Sequence, residues 1–517
     1  MRTYLIEIAA YDTSAGALTT LRYSSQPYLH PTAPGPYANR VTELPTFRRD
    51  IFGKNTTGGA STVSQGDLII ANPDGELDNL RDFGMAGQTC TILLGDDAAP
   101  YSSFVTVIAG RVEQALFDLA EVQIKLRDRL QDLQQPIQPN KYAGTNVLPN
   151  GLEGVADLKG KPKPKAAGQV LNVTLSCVNT ARLEYQVNDG PVFDVPAAYD
   201  SGAPLTKGAD YTSQADMEAN APAPGGNYRV WKAGGYIRLG ASPTGAVTAD
   251  VLQGATVAAR TAAQVSKALV TGTGGIPAGD VSAADVAALD AANPSVVGIW
   301  IDSESTFGAA LDQVLGSVGA WYGFDADGQF RMQRVEAPGT PVVTLRRFGL
   351  DSDAASGDLD IVDCRFLATN DPDKGVPTWQ VTLDYAHNWT VQTDGLAGVV
   401  TDAARAFLAV ATRSAIATDT SVQIPNPSAV QKTVETLLVN QADAQAEANR
   451  VLGLYKVRRD FVEIDTPLTP EAISILDLGK TVSVVIPRFG YDAGRSMVIT
   501  GMEYNSATNI LILALWG

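Results

Sequence analysis

The chain has 517 residues, of which 45% are hydrophobic and 18% charged, with a formal net charge of -17. That length holds several domains, each able to bury a core, and the acidic balance argues against a nucleic-acid-gripping surface, which would be basic. Cys90, Cys177 and Cys364 lie too far apart in sequence for a metal motif or a disulfide framework, and no apolar run reaches the ~18 residues of a spanning helix.

Residues 1–135 read as a β-domain. Leu5, Ile6 and Ile8 alternate as a first strand rather than a signal peptide, so synthesis in the cytoplasm is expected. Val63, Asp67–Ala71, Thr91–Leu94, Phe104–Ala109 and Val122–Leu126 read as further strands, with a turn at Asn72-Pro73-Asp74-Gly75. Residues 136–251 read as a linker followed by an inserted β-rich domain. Its entry holds the densest basic run of the chain, Lys159, Lys161, Lys163 and Lys165, with Pro162 and Pro164 keeping it extended. Such a loop in an acidic protein is either a solvated loop or a dock for an acidic partner.

In the inserted domain, Leu183–Val187 and Val192–Val195 flank Asn188-Asp189-Gly190 as a hairpin. Asn227–Val230 and Tyr236–Leu239 flank Ala233-Gly234-Gly235 as another. Tyr228, Trp231 and Tyr236 fall together there, either as cross-strand packing or as a platform for stacking on a sugar.

Residues 252–300 read as a helical connection, with helices over 256–270 and 282–290, the second capped by Ser282. Residues 301–430 read as a helix–hairpin and strand domain. A helix over 304–318, capped by Ser303 or Ser305, precedes the strand Trp321–Phe324, the turn Asp325-Ala326-Asp327-Gly328, and a return strand. Asp325, Asp327, Gln329 and Glu336 match four positions of a calcium loop, but Phe330 stands where that loop needs glycine, so a hairpin turn is preferred. Asp351–Asp360 is an acidic loop, and part of 397–416 has helical spacing. Residues 431–517 read as a long helix over 433–456 followed by a small antiparallel β-barrel, since the apolar period changes from near four to two past Tyr455.

No catalytic constellation emerges. His30 and His387 are the two histidines, and no Gly-x-Ser-x-Gly elbow accompanies them. Too few His and Cys residues are suitably spaced for zinc. Paired carboxylates for glycosidic chemistry are set in space rather than in sequence, so they are not legible here. The expectation is a protein without enzymatic activity, metal or cofactor.

Several ordered stretches carry a resemblance. They are the Ala-rich Ala442–Arg450, the Leu478-Gly479 turn before Val482-Ser483-Val484-Val485, Pro487-Arg488-Phe489-Gly490, and the terminal Leu515-Trp516-Gly517. The run Asp157-Leu158-Lys159-Gly160-Lys161-Pro162 and the N-terminal Asn72 to Asp78 order add to them. Together they resemble tail-tip proteins of tailed bacteriophages, of the baseplate hub or minor tail type found in siphophages. The resemblance implies a mainly β, multidomain fold with some helices (α+β), in which hub-type β-barrels carry an inserted β-rich domain. It implies a homotrimer whose paired barrels form a pseudo-sixfold ring at the tail tip of the virion, around the DNA path. Partners would be a tail tube or distal tail ring above and a central fibre or receptor-binding proteins below, with no sequence-specific nucleic-acid binding. The acidic excess then suits the ring's inner wall, which must not hold DNA. The alternatives are a host-surface carbohydrate-binding tail adhesin, using Tyr228, Trp231 and Tyr236, or a glycan-degrading tail enzyme.

Overall fold

A computed structural model describes residues 1–59, 65–348 and 357–517. The fold is mainly β with a few helices, in several sheets. The first large sheet is nine-stranded. Its main path runs Ala38–Asn39, Ala17–Ser24, Arg2–Asp12, Thr89–Asp96, Val105–Phe117, Glu121–Arg127, Gln65–Ala71 and Val41–Glu43, and Phe83–Gly84 pairs beside Arg2–Asp12. The two edge strands are separated in the chain by Arg40 alone. One short segment therefore serves both edges, parallel to Ala17–Ser24 and antiparallel to Gln65–Ala71. The sheet closes into a barrel, which leaves no long unpaired edge. Strict alternation drives it: in Glu121–Arg127, Val122, Ile124 and Leu126 are buried while the residues between are half-buried.

The second large sheet is eight-stranded. It runs Leu359–Asp360, Thr344–Arg346, Thr481–Val485, Arg495–Asn505, Ile510–Trp516, Phe461–Pro467 and Asp363–Leu367, with Phe47–Asp50 added beside Arg495–Asn505. It closes by the same device. Leu359–Asp360 lies parallel to Thr344–Arg346, and Asp363–Leu367 antiparallel to Phe461–Pro467, with only Ile361 and Val362 between the two. The C-terminal strands thus form a barrel only with strands from two other parts of the chain.

The two barrels share one strand order. Each has a three-strand meander: Thr89–Asp96, Val105–Phe117 and Glu121–Arg127 in the first, Thr481–Val485, Arg495–Asn505 and Ile510–Trp516 in the second. In each, the long strand before the meander, Gln65–Ala71 or Phe461–Pro467, pairs with its last strand, and the closing segment lies beyond. A short helical turn joins that preceding strand to the meander in both, Asp78–Asp82 and Pro470–Ile475. The second barrel lacks a counterpart of Arg2–Asp12. Thr344–Arg346 therefore lies directly parallel to Thr481–Val485, the direction that Ala17–Ser24 keeps relative to Thr89–Asp96 one strand away. Both barrels pack into a single core in which Ile6, Ile92 and Val112 join Ile464, Leu513 and Trp516.

Two further bodies hang on this pair. In one, the sheet holding Lys165–Thr174, Asp194–Asp200 and Val247–Leu252 packs on the sheet holding Glu184–Gln186, Asn227–Trp231 and Tyr236–Leu239, around Val170, Val195, Tyr228, Ile237 and Val251. In the other, the hairpin Ala320–Phe324/Phe330–Arg334, the helices Ala262–Thr271, Ala283–Ala292 and Phe307–Gly316, and the helix Gln441–Tyr455 share a core with Thr378–Tyr385 and its neighbours.

Several expectations are corrected. The helix expected over 433–456 begins at Gln441. Val430–Glu435 is a strand parallel to Thr378–Tyr385, where alternating burial and β-branched Thr433 and Val434 favour extension. Of 397–416, only Asp402–Leu408 is helical, and Arg413–Thr418 is a strand. The helix expected over 304–318 spans Phe307–Gly316 and is capped by Thr306, whose hydroxyl accepts from the Ala309 N–H, not by Ser303 or Ser305. The helix expected over 256–270 is a 3-10 turn, Val257–Arg260, followed after Thr261 by Ala262–Thr271. Short helices at Gln214–Ala219 and Pro470–Ile475 were not expected. Leu183–Val187 and Val192–Val195 do not pair with each other. Glu184–Gln186 pairs with Tyr236–Leu239, and Asp194–Asp200 with Val247–Leu252. Asn188 is buried at this crossing and its amide donates to the Gly190 and Pro191 carbonyls at 3.2 and 2.9 Å, so the turn carries the chain from one sheet to the other. The hairpin at Gly234-Gly235, the Ser282-capped helix Ala283–Ala292 and the Asp325 turn form as expected. Val63 and residues 351–356 of the acidic loop lie outside the described residues.

Candidate functional site

A five-membered charge network lies where the two barrels and the hairpin meet. After closing the first barrel, the chain enters the second as Phe47–Asp50. Alternation turns Phe47 and Arg49 inward and leaves Arg48 and Asp50 half-buried. Arg49 is 7% exposed. Its guanidinium donates to Asp477 Oδ1 at 3.0 Å, to Tyr504 Oη at 2.9 Å and to the Phe324 carbonyl at 3.4 Å. Asp477 lies past helix Pro470–Ile475, and its other oxygen accepts from Arg331 at 3.3 Å. Arg331, on the hairpin, also donates to Asp325 at 3.3 Å and to both oxygens of Asp285 at 2.5 and 3.1 Å. Burial works against the Arg49 charge, but Tyr504 and Asp477 outweigh it and its pKa is raised. Arg331 is raised chiefly by its bonds to Asp285. Nearby, Asp128 is pushed up to about 6 by burial, opposed by the Leu130 N–H and by Arg49.

Above this network lies a cleft of about 420 Å³, lined among others by Phe104, Thr106, Ile473 and Lys480. Three bodies meet there: the first barrel through Val105 and Thr106, the second through Ile473, Asp477 and Tyr504, and the hairpin through Asp325 and Arg331. Opposite charges alternate across the cleft, which suits a joint that fixes register between the bodies.

The sequence-predicted residues are dispersed. Tyr228 is fully buried in the sandwich core and donates its hydroxyl to the Val195 carbonyl at 3.0 Å. Trp231 and Tyr236 stack, with centroids 5.7 Å apart and planes 15° apart, beside a separate small core. The structure thus joins Trp231 to Tyr236 and leaves Tyr228 no open face. The basic run is also divided. Lys159 and Lys161 are exposed, Lys163 is bonded to Glu153 at 2.6 Å and sits 5.5 Å from the Tyr142 ring centre, and Lys165 opens the strand Lys165–Thr174. His30 bonds Thr32 in an exposed loop, and His387 lies against Trp389, its pKa lowered by burial against the opposing charge of Glu435. Cys90, Cys177 and Cys364 are free thiols. Sequence reasoning missed Arg49, Arg331 and Asp477. For Arg49 a signal existed, since it alternates in phase with Phe47.

Among the described residues, no group of three or more His, Cys, Asp or Glu is placed to hold a metal, and no helix is long and apolar enough to cross a membrane. No family model and no curated protein matches the sequence. Solved structures similar to this chain include a tail protein from Neisseria meningitidis, at 12% identity, covering 99% of this chain and 96% of that one, with a TM-score of 0.42. A 43 kDa tail protein of a Shewanella oneidensis prophage has 12% identity, coverage of 99% and 98%, and a TM-score of 0.41. A Listeria monocytogenes prophage tail protein has 7% identity, coverage of 99% and 94%, and a TM-score of 0.37.

Proposed function

We propose that this chain is a structural component of a phage tail tip or baseplate, a hub-like ring protein that joins the tail tube to the distal tip proteins around the DNA path. The observation that carries this reading is the pair of barrels with one strand order, fused through a common core. A chain built this way offers two nearly equivalent positions side by side, so three copies present six. That is the arithmetic a sixfold tube needs to meet a threefold tip, and it agrees with what the sequence resemblance implies. In this reading the protein works by packing and symmetry rather than by turnover. The Arg49–Asp477–Arg331 network ties the strand that leads out of the first barrel to the second barrel and the hairpin. The inserted sandwich, most of which lies within residues 136–251, makes peripheral contacts, and the exposed Lys159 and Lys161 face acidic neighbours.

The test is immunogold labelling of purified particles with antibody raised against this chain. Label confined to the distal end of the tail supports the proposal. Label on the capsid or along the tail tube, or none on intact and tip-opened particles, contradicts it.

A further inference from the structure

A second cavity, of about 310 Å³, lies between the inserted sandwich and helix Asp402–Leu408, away from the barrel joint. Leu171, Ala404, Phe407 and Leu408 give it apolar walls, and Asp250 and Tyr199 line the same space. Asp250 lies in the strand Val247–Leu252. Its Oδ1 accepts the Asn172 N–H at 2.8 Å, and its Oδ2 accepts the Tyr199 hydroxyl at 3.0 Å. Both donors are neutral, and each carboxylate oxygen keeps a lone pair to spare. No Lys or Arg among the described residues pairs with it.

Asn172 also lines the cavity and is 2% exposed. Its Nδ2 donates to Asn388 Oδ1 and to the Thr390 carbonyl, both at 2.7 Å, which fixes the amide and leaves Oδ1 as a buried acceptor with no partner. A half-buried carboxylate against apolar walls, without a cationic partner, is stabilised when a cation reaches it. Burial correspondingly raises the pKa of Asp250, against the opposing Asn172 and Tyr199 bonds. The cavity therefore sets a carboxylate with spare acceptor capacity against apolar walls, and none of its lining residues is a donor that carries charge.

We propose that this cavity binds a primary alkylammonium group, the charge meeting Asp250 and the aliphatic stem lying against Phe407 and Leu408. The group is the end of a free amine or of a lysine side chain. The volume accepts a stem of about four carbons with the ammonium.

Saturation-transfer NMR on the full chain tests this, with n-butylammonium, 1-butanol and butyrate as probes. Transfer to butylammonium is expected, with the other two binding at least about tenfold more weakly. Asp250→Asn should abolish the butylammonium signal while the melting curve shows a folded chain. Should that variant not fold, Ala404→Trp, which fills the cavity from the helix side, decides by the same loss. A parallel titration with Nα-acetyl-lysine methylamide separates the sources: binding of both amines points to a lysine end, binding of butylammonium alone to a free amine. Equal binding of the three butyl probes, no binding of either amine, or an undiminished signal in the decisive folded variant overturns the proposal.

Discussion

Replacing Arg49 by alanine removes the guanidinium that the Phe47–Asp50 strand places in the Asp477 site. Breaking a buried ion pair by deleting one partner costs about 3–5 kcal/mol when the remaining charge is left alone. Here Asp477 keeps Arg331 at 3.3 Å, so its carboxylate is not orphaned. The Tyr504 hydroxyl, however, loses the donor at 2.9 Å, and the 5.8 Å stacking of the guanidinium carbon over the Tyr504 ring is lost as well. The expected loss is thus about 2–3 kcal/mol. It should fall on the Phe47–Asp50 strand and on its partner Arg495–Asn505. With several bodies in the chain, one global unfolding free energy is not a well-defined readout, so native-state hydrogen exchange is the assay. A loss of about 2 kcal/mol gives roughly thirtyfold faster exchange in peptides covering those two strands. In Asp477→Asn, adding Arg49→Ala should cost at least about 1 kcal/mol less, because the pair is already broken. Exchange in Arg49→Ala within about twofold of the parent chain would refute the view that this network fixes the joint.

Three further outcomes follow from single residues. Glu184 is fully buried and its pKa is pushed up to about 7, by burial first, against the charges of Arg182 and Arg238. The folded state then binds more protons than the unfolded chain between about pH 4.5 and 7, so this residue's contribution falls as pH rises through that window. Glu184→Gln should therefore raise the melting midpoint at pH 8 and leave it unchanged near pH 4, and an equal effect at both would contradict the assignment. Burial pushes the Cys90 thiol up to about 12, so iodoacetamide at pH 8 should label it only after denaturation, read by peptide mass spectrometry. Rapid labelling of the native chain would exclude that environment. Gly168 has a φ of +73°, and a Cβ there would lie 2.0 Å from the Val297 carbonyl oxygen. Gly168→Ala should cost about 2 kcal/mol or more, and an unshifted thermal melt would show that the Lys165–Thr174 strand yields.

Much of the fold was legible where the pattern is local. Val122, Ile124 and Leu126 alternate, Gly234-Gly235 marks its hairpin, and Ser282 caps its helix. Errors arose where two periods coincide. Val434, Leu437 and Leu438 are spaced like a helix face, but Val434 belongs to a strand whose partner, Thr378–Tyr385, is some fifty residues away. Barrels were expected, but the short segments that close them were not legible. Ala38–Asn39 and Leu359–Asp360 are two residues long, too short to show a period, and closing depends on which edges they meet. The barrel repeat was hidden for the same reason, since strand order is shared while loops and the Arg2–Asp12 strand are not. At the joint, Arg49, Arg331 and Asp477 are brought together from three distant segments. The aromatic cluster was legible in part: Trp231 and Tyr236 pack across their hairpin, whereas Tyr228, close in sequence, serves a different core.

In the proposed assembly, two like barrels of one chain occupy alternate positions of a ring. A cryo-electron microscopy reconstruction of the particle's tail tip, at a resolution that separates strands, distinguishes this from other arrangements. Three copies of this chain are expected, with residues of the first barrel and of the second alternating around a sixfold-like ring, and acidic side chains outnumbering Lys and Arg on its inner wall. Lys159–Lys165 should lie away from the lumen. A ring built from one barrel per copy, or a lumen lined mainly by Lys and Arg, would contradict this assembly.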